Sequence, residues 1–379
     1  MEGGIPLFKV RGIQIRMHIT FPLILVWGAI QFGVLARRGL AGALFGVVVT
    51  GLLFVIVVLH ELGHSLVAQS YGVPVRQIVL LPIGGVAQLG KIPEKPSQEL
   101  AIAIAGPLVN FALAGVLAIV GLAAGLDLSL RGLGSVLSQL GSANFNAVFR
   151  YVFVSNLFLG LFNLLPAFPM DGGRVLRALL ATRMDYARAT ALAVTIGQSL
   201  AWLMGLWGFL GGGFFLVLVA IFVYTGAGQE GRMVMVRSVL GELKVGQAYS
   251  RQAKWLTPQS TLREAVELTL SSFQSDFPVC EGGRLVGLLT HAQLVEALSR
   301  GGPEQTVGSS MRADITPLSP SDSLVLAQNR LIEERVDALP VEEGGQFAGL
   351  VTSRDIGEVF QLASRWPGFS ERATRPVQG

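Results

Sequence analysis

The sequence predicts a polytopic α-helical membrane protein, with about six transmembrane helices and a small membrane-edge β hairpin, followed by a pair of small α/β units. Three observations carry this. Of the 379 residues, 51% are hydrophobic and 14% charged, with a mean hydropathy of +0.57, whereas a soluble domain carries about 25% charged residues. Long uncharged runs fill the first 229 residues, and ordinary soluble composition follows. In that second part, 245–298 aligns without a gap onto 307–360 at a constant offset of 62, with fifteen identical positions; a repeat of this kind implies two copies of one unit.

Residues 1–16 are basic and precede an apolar run, as in a signal peptide. That run is long, ends at Arg37-Arg38 and lacks a small-residue cleavage site, so 17–36 is expected as an uncleaved first span carrying His18. Residues 39–59 are 21 positions without a charge, enough to cross a bilayer core as a helix, and this second span is expected to run on to Gln69. Residues 74–92, PVRQIVLLPIGGVAQLGKI, contain β-branched residues and are too short for two spans. They read as a hairpin or re-entrant β loop turning at Gly84-Gly85. The third span, 100–126, contains Gly106, Pro107 and Asn110. A Gly/Ser-rich loop with Asp127 and Arg131 leads to the fourth, 151–170, polar only at Ser155, Asn156 and Asn163. The 41 uncharged residues 189–229 exceed one helix, and Gly211-Gly212-Gly213 divides them into spans five and six.

Six spans put both termini on one side. Loops there hold Lys9, Arg11, Arg16, Arg76, Lys91, Lys95, Arg174, Arg177, Arg183 and Arg188, against Arg37, Arg38, Arg131 and Arg150 opposite. The bias predicts a cell-membrane protein with both termini and the repeats cytoplasmic. The net charge of +4 is modest and gives no nucleic-acid footprint, and the single Cys280 excludes an intramolecular disulfide.

The chemistry sits at the end of the second span, at His60, Glu61 and His64. Positions i and i+4 of a helix share a face, so the two imidazoles can bind one metal ion with Glu61 beside them. This is the HExxH arrangement, imidazoles as zinc ligands and the Glu as general base. A chance match of so short a pattern is disfavoured here, because charged groups at membrane depth cost about 2.5 kcal/mol or more unless paired. Two of the four histidines in the chain stand at this place. A catalytic zinc takes three protein ligands plus water, and His18, His291 and the sparse acidic residues are candidates for the third. Asp171 stands out, since it follows an uncharged span in a Pro/Gly break, PAFPMDGG, and irregular backbone at membrane depth marks a protein or water cavity. The competing reading is that Asp171 caps a helix starting near Gly172.

His60-Glu61-Leu62-Gly63-His64 in an apolar span, GPLVN at 106–110 and NLLPAFPMDGGR at 163–174 together resemble the site-2 protease family of intramembrane zinc metalloproteases, over roughly residues 10–228. The resemblance implies that His60, His64 and Asp171 bind one Zn2+, that Glu61 is the general base and that Asn163 helps position the substrate strand. It implies hydrolysis of peptide bonds within or near transmembrane segments of membrane-protein substrates, as in regulated intramembrane proteolysis. The Gly84-Gly85 hairpin matches a membrane β element of that family. A helical substrate must unwind before its carbonyls can react, and an extended strand can recover backbone bonds at the hairpin edge, with Asn110, Asn156 and Asn163 assisting. Asn110 and Asn156 read equally well as glue between helices.

The soluble repeats resemble CBS domains, which pair into nucleotide-sensing modules. The Gly-x-x-Thr-x-x-Asp run of that family is present as Gly349, Thr352 and Asp355, while the first copy has Gln293 at the Asp position. One site for ATP or another adenine nucleotide is therefore expected at most, with a homodimer through the CBS pair as the competing role. The expected organisation is a protease domain 1–228, a linker 229–244, CBS domains 245–300 and 301–362, and a disordered basic tail 363–379. The runner-up function is a CBS-gated ion channel or transporter with an intramembrane metal site; it has no need of a Glu between two His, nor of a distant Asp in a Pro/Gly break. A third reading, a pseudo-enzyme that only binds membrane partners, is disfavoured by the intact motifs.

Overall fold

The computed structural model describes residues 4–82, 84–90, 93–126, 128, 145–272 and 274–366. The expected Asp127/Arg131 loop, Lys91 and the tail from 367 lie outside the described residues. The chain divides into two compact units, 1–232 and 233–379.

The first unit opens with strands rather than a helix. β1 (Gly4–Val10) and β2 (Ile13–His18) form an antiparallel hairpin whose turn residues Arg11 and Gly12 both have positive φ, as two-residue hairpin turns require. Met17 and His18 therefore belong to β2, which corrects the expected first span. What remains of that span is helix α1 (Pro22–Ala29) running into a π-helical turn, Ile30–Leu35. At about 1.5 Å per residue this is shorter than a hydrocarbon core of about 30 Å.

Helix α2 (Gly39–Ser70) follows. Then come β3 (Val75–Leu81), β4 (Gly84–Leu89) and helix α3 (Pro96–Ala123). The four strands make one sheet in the order β1-β2-β3-β4, with β2 and β3 parallel, so β4 is an edge strand. The hairpin expected at 74–92 is present, but Gly84 and Gly85 begin β4 and do not form its turn. Ile13, Ile15, Ile78 and Leu80 are buried against Phe54, Val58 and Leu62 of α2.

Helix α4 (Phe145–Asn163) ends before the Pro/Gly break, so 164–170, expected inside the fourth span, is irregular. Ala167 and Phe168 of this segment are nonetheless fully buried. The segment packs on α5 (Asp171–Ala181), α6 (Tyr186–Leu210) and α7 (Phe214–Glu242): a Cβ at Gly197 would lie 3.0 Å from Ala167 Cα, and one at Gly226 2.7 Å from Pro169 Cδ. Helices α6 and α7 break at Gly211–Gly213, as expected from the sequence. Five described helices (α2, α3, α4, α6 and α7) are long and apolar enough to span a membrane. The expected count of about six is not reached among the described residues, because the α1 stretch is too short by itself.

In the second unit each repeat contributes a helix, a hairpin and a second helix. The first has α8 (Leu262–Ser271), β5 (Phe277–Glu281), β6 (Arg284–Leu289) and α9 (His291–Gly301). The second has α10 (Leu324–Glu334), β7 (Ala338–Glu343), β8 (Gln346–Thr352) and α11 (Ser353–Arg365). The repeats are interlocked. Ser250, near the start of the first repeat, pairs with Leu350 of β8, and Arg312, near the start of the second, pairs with Leu288 of β6. Val245 accordingly sits in the core of the second repeat and Val307 in that of the first. Asp276 ties the copies further by accepting backbone N–H bonds from His291, Asp337 and Ala338 at 2.9–3.2 Å. Burial raises its pKa against those three stabilising bonds. Burial also pushes the Cys280 thiol up to about 11, so it stays protonated near neutral pH.

The segment 229–244, expected as a linker, is helical as far as Glu242. Residues 363–365, expected in the tail, complete α11.

Candidate metal centre

Helix α2 brings His60 and His64 onto one face, and both are buried. Helix α3 crosses them at Gly106, where a Cβ would collide with Nε2 of His64 and lie 2.7 Å from Nε2 of His60. A glycine is required there because the neighbouring backbone lies directly on the imidazoles. One turn earlier in α3, the carbonyl of Ile102 takes the His64 Nδ1 proton at 2.7 Å. Pro107, inside the same helix, has no N–H to give to the Ala103 carbonyl. His60 Nδ1 is bonded to Asn110 Oδ1 of α3 at 2.5 Å. An amide oxygen and a carbonyl only accept, so both rings carry their protons on Nδ1.

Both Nε2 lone pairs therefore point inward, and Asp171 points at the same space. Its Oδ2 lies 3.2 Å from His60 Nε2 and 3.0 Å from His64 Nε2, with the two nitrogens 3.1 Å apart. Asp171 is the first residue of α5, but the cap position belongs to Met170 and no side-chain cap bond is made, so capping does not explain it. These three residues form the one His/Cys/Asp/Glu cluster of metal-binding geometry among the described residues. Three facing lone pairs repel one another unless a cation stands between them. A tetrahedral zinc with bonds of about 2.0–2.1 Å separates its ligand atoms by about 3.3 Å, close to the triangle observed, so the donor set fits zinc.

Glu61 is half-buried beside the triangle, and β4 passes directly over it: a Cβ at Gly85 would lie 2.9 Å from Glu61 Cγ. Gly85 thus keeps the edge strand close to the prospective base. The other expected site residues are placed differently. His18 is engaged with Thr20 Oγ1 at 2.7 Å and His291 opens α9; neither joins the cluster. Asn163 closes α4, half-buried, with Nδ2 on the Leu159 carbonyl at 3.0 Å. Asn110 is fully buried, with Oδ1 on His60 and Nδ2 on Asn156 at 3.2 Å, so both ends of its amide are engaged by neighbouring side chains.

Sequence reasoning missed Arg177. Its guanidinium binds Glu99 of α3 and Glu230 of α7 at 2.5–2.8 Å, and it lies 4.9 Å from the Phe168 and Tyr186 ring centroids. It anchors the helix that begins with Asp171. Arg177 was counted only as a loop charge, because its two carboxylate partners lie far away in the chain.

A family model for peptidase family M50 matches residues 48–204, and the CBS domain model matches 245–300 and 307–360. The zinc metalloprotease MJ0392 of Methanocaldococcus jannaschii is 38% identical over 358 residues, covering 94% of this chain and 96% of the relative. The chain belongs to peptidase family M50. It is a metalloprotease of the site-2 type, a membrane protein with a CBS pair, which removes the channel or transporter reading. A second relative, Rip3 of Mycobacterium tuberculosis, is 28% identical over 396 residues, covering 98% of this chain and 97% of the relative. A solved structure, the site-2 protease from Methanocaldococcus jannaschii, is 46% identical and covers 60% of this chain and 95% of its own, with a TM-score of 0.43.

The expected nucleotide residues have local structural roles. Thr352 and Asp355 form a capping box on α11, with Thr352 Oγ1 donating to Asp355 Oδ2 at 2.7 Å and Asp355 N donating back at 3.1 Å. Thr290 and Gln293 do the same on α9, so Gln replaces Asp without loss of the cap. Gly349 clears the crossing backbone of Ser250, as Gly287 clears Arg312.

Proposed function

We propose that this protein is a zinc-dependent intramembrane endopeptidase whose metal is held by His60, His64 and Asp171 and whose general base is Glu61. The observation that carries the reading is the convergence of three bare donor atoms beside a carboxylate. When bound, zinc supplies a Lewis acid for the scissile carbonyl and lowers the pKa of a coordinated water to about 7. Glu61 takes the proton of the attacking water and delivers it to the leaving amine. The substrate is a transmembrane segment that has locally unwound and lies along the β4 edge, recovering backbone hydrogen bonds there. Gly84 and Gly85 let it approach Glu61, and Asn163 positions it. The direct test is cleavage of a single-pass reporter helix by the detergent-purified chain. Cleavage is expected to stop with a zinc chelator and to return with zinc. A reporter that is never cut would refute the reading.

The Lys/Arg bias supports cytoplasmic termini and CBS repeats; this orientation needs α1 and its flanks to complete an even number of crossings. The biological role that fits is regulated intramembrane proteolysis, with domain limits near 1–228 and 245–362. For the CBS pair, the reading is that an adenine nucleotide binds at Gly349, Thr352 and Asp355 and changes cleavage rate without changing metal content. A ligand shifts such an equilibrium only through different affinities for its two states. Calorimetric titration with ATP, ADP and AMP is expected to show at most one site per pair, weakened by Asp355→Ala. Absence of binding at millimolar nucleotide would leave the pair as a dimerisation element, since Thr352 and Asp355 are already accounted for as a helix cap.

A further inference from the structure

Asn156, on α4, stands one side chain removed from the metal donors. Its Nδ2 donates to the Val152 carbonyl at 2.9 Å, and its Oδ1 accepts from Asn110 Nδ2 at 3.2 Å. Asn110 Oδ1 in turn accepts from His60 Nδ1. Each link has a fixed direction. A backbone carbonyl only accepts, so the amino end of Asn156 must face Val152 and its oxygen must face Asn110. That oxygen also only accepts, so Asn110 turns its amino end to Asn156 and its oxygen to His60. The His60 ring must then carry its proton on Nδ1, which bares Nε2. The exposures of Asn156, Asn110 and His60 are 1%, 0% and 4%, so bulk water does not reach the chain to reorder it.

His64 has no such relay, since the Ile102 carbonyl accepts its Nδ1 proton directly. Backbone cannot turn around, whereas an amide side chain can rotate by half a turn. A reversed Asn110 would present N–H to His60 Nδ1, place the ring proton on Nε2 and block the metal. Resting on the zinc reading above, we propose that Asn156 is a positioning residue that, through Asn110, fixes the His60 tautomer and so makes Nε2 a metal ligand.

The test is zinc affinity of the detergent-purified full chain by chelator competition, with the visible spectrum of the Co2+-loaded chain alongside. Asn156→Leu, which removes the anchor, is expected to weaken zinc binding by about 10–100-fold, the range found when the partner of a ligating His is lost. Asn156→Asp keeps an acceptor toward Asn110 and, protonated, a donor toward Val152; it is expected to bind close to wild type. Adding Asn110→Asp to Asn156→Leu is expected to restore binding and the tetrahedral Co2+ spectrum, because either carboxylate oxygen accepts the His60 proton without needing an anchor. If chains carrying Asn156→Leu do not fold, Asn156→Asp decides: near-wild-type affinity with the acceptor kept supports the relay, and weak binding overturns it. Unchanged affinity in Asn156→Leu, or a loss that Asn110→Asp does not repair, also overturns it. A wild-type chain that binds no zinc would instead remove the metal reading on which the relay rests.

Discussion

Glu61→Gln is expected to keep its metal and to lower reporter cleavage by about 10²–10⁴-fold, the usual contribution of a general base. The amide matches the carboxylate in size, so the close packing of β4 at Gly85 is undisturbed. The metal donors are also untouched, because Glu61 is not among the converging atoms. What is lost is the capacity to hold a proton between the attacking water and the leaving amine. The measurement is cleavage rate together with metal content for both chains. Cleavage near the wild-type rate with metal retained would remove Glu61 as the base, and loss of metal would make it a ligand instead.

The His/Asp cluster was legible to the extent that its residues are local in the chain. His60 and His64 are one helical turn apart, and their shared face follows from helix geometry alone. Asp171 stood out through its setting, a lone acid in a Pro/Gly break, and three dimensions bring its carboxylate to the two imidazoles. The partners of His60 were not legible: Asn110 lies 50 residues away, and a buried Asn between helices reads equally as substrate contact or as glue. Gly84-Gly85 was read as a turn because paired glycines reverse chains, but Gly85 is required by the close approach of β4 to Glu61 and Gly84 by its positive φ. The β1–β2 hairpin was hidden by reading 1–16 as a basic flank. Its signals were the alternation in IQIRMH and the Arg11-Gly12 turn. The soluble repeat was plain from its constant offset, yet an offset cannot say which copy a segment pairs with, so the interlocking of Ser250 with Leu350 and Arg312 with Leu288 was out of reach. The Gly349, Thr352 and Asp355 pattern illustrates the converse: a run that resembles a ligand contact also has local roles, in clearing the crossing backbone of Ser250 and in a capping box.

Asp171→Ala carries the second large effect. Without the carboxylate, two imidazoles remain, and a catalytic zinc site takes three protein ligands. Arg177 still anchors α5 through Glu99 and Glu230, so the helix is expected to keep its place and the loss to be confined to the metal. Cleavage is expected to fall with the zinc. The third ligand is therefore decided by the zinc content of detergent-purified wild type and Asp171→Ala, after equal dialysis and with folding checked by circular dichroism. About one zinc is expected per wild-type chain and little or none in the variant. Undiminished zinc in a folded Asp171→Ala chain would contradict that expectation and return the search for the third ligand to His18.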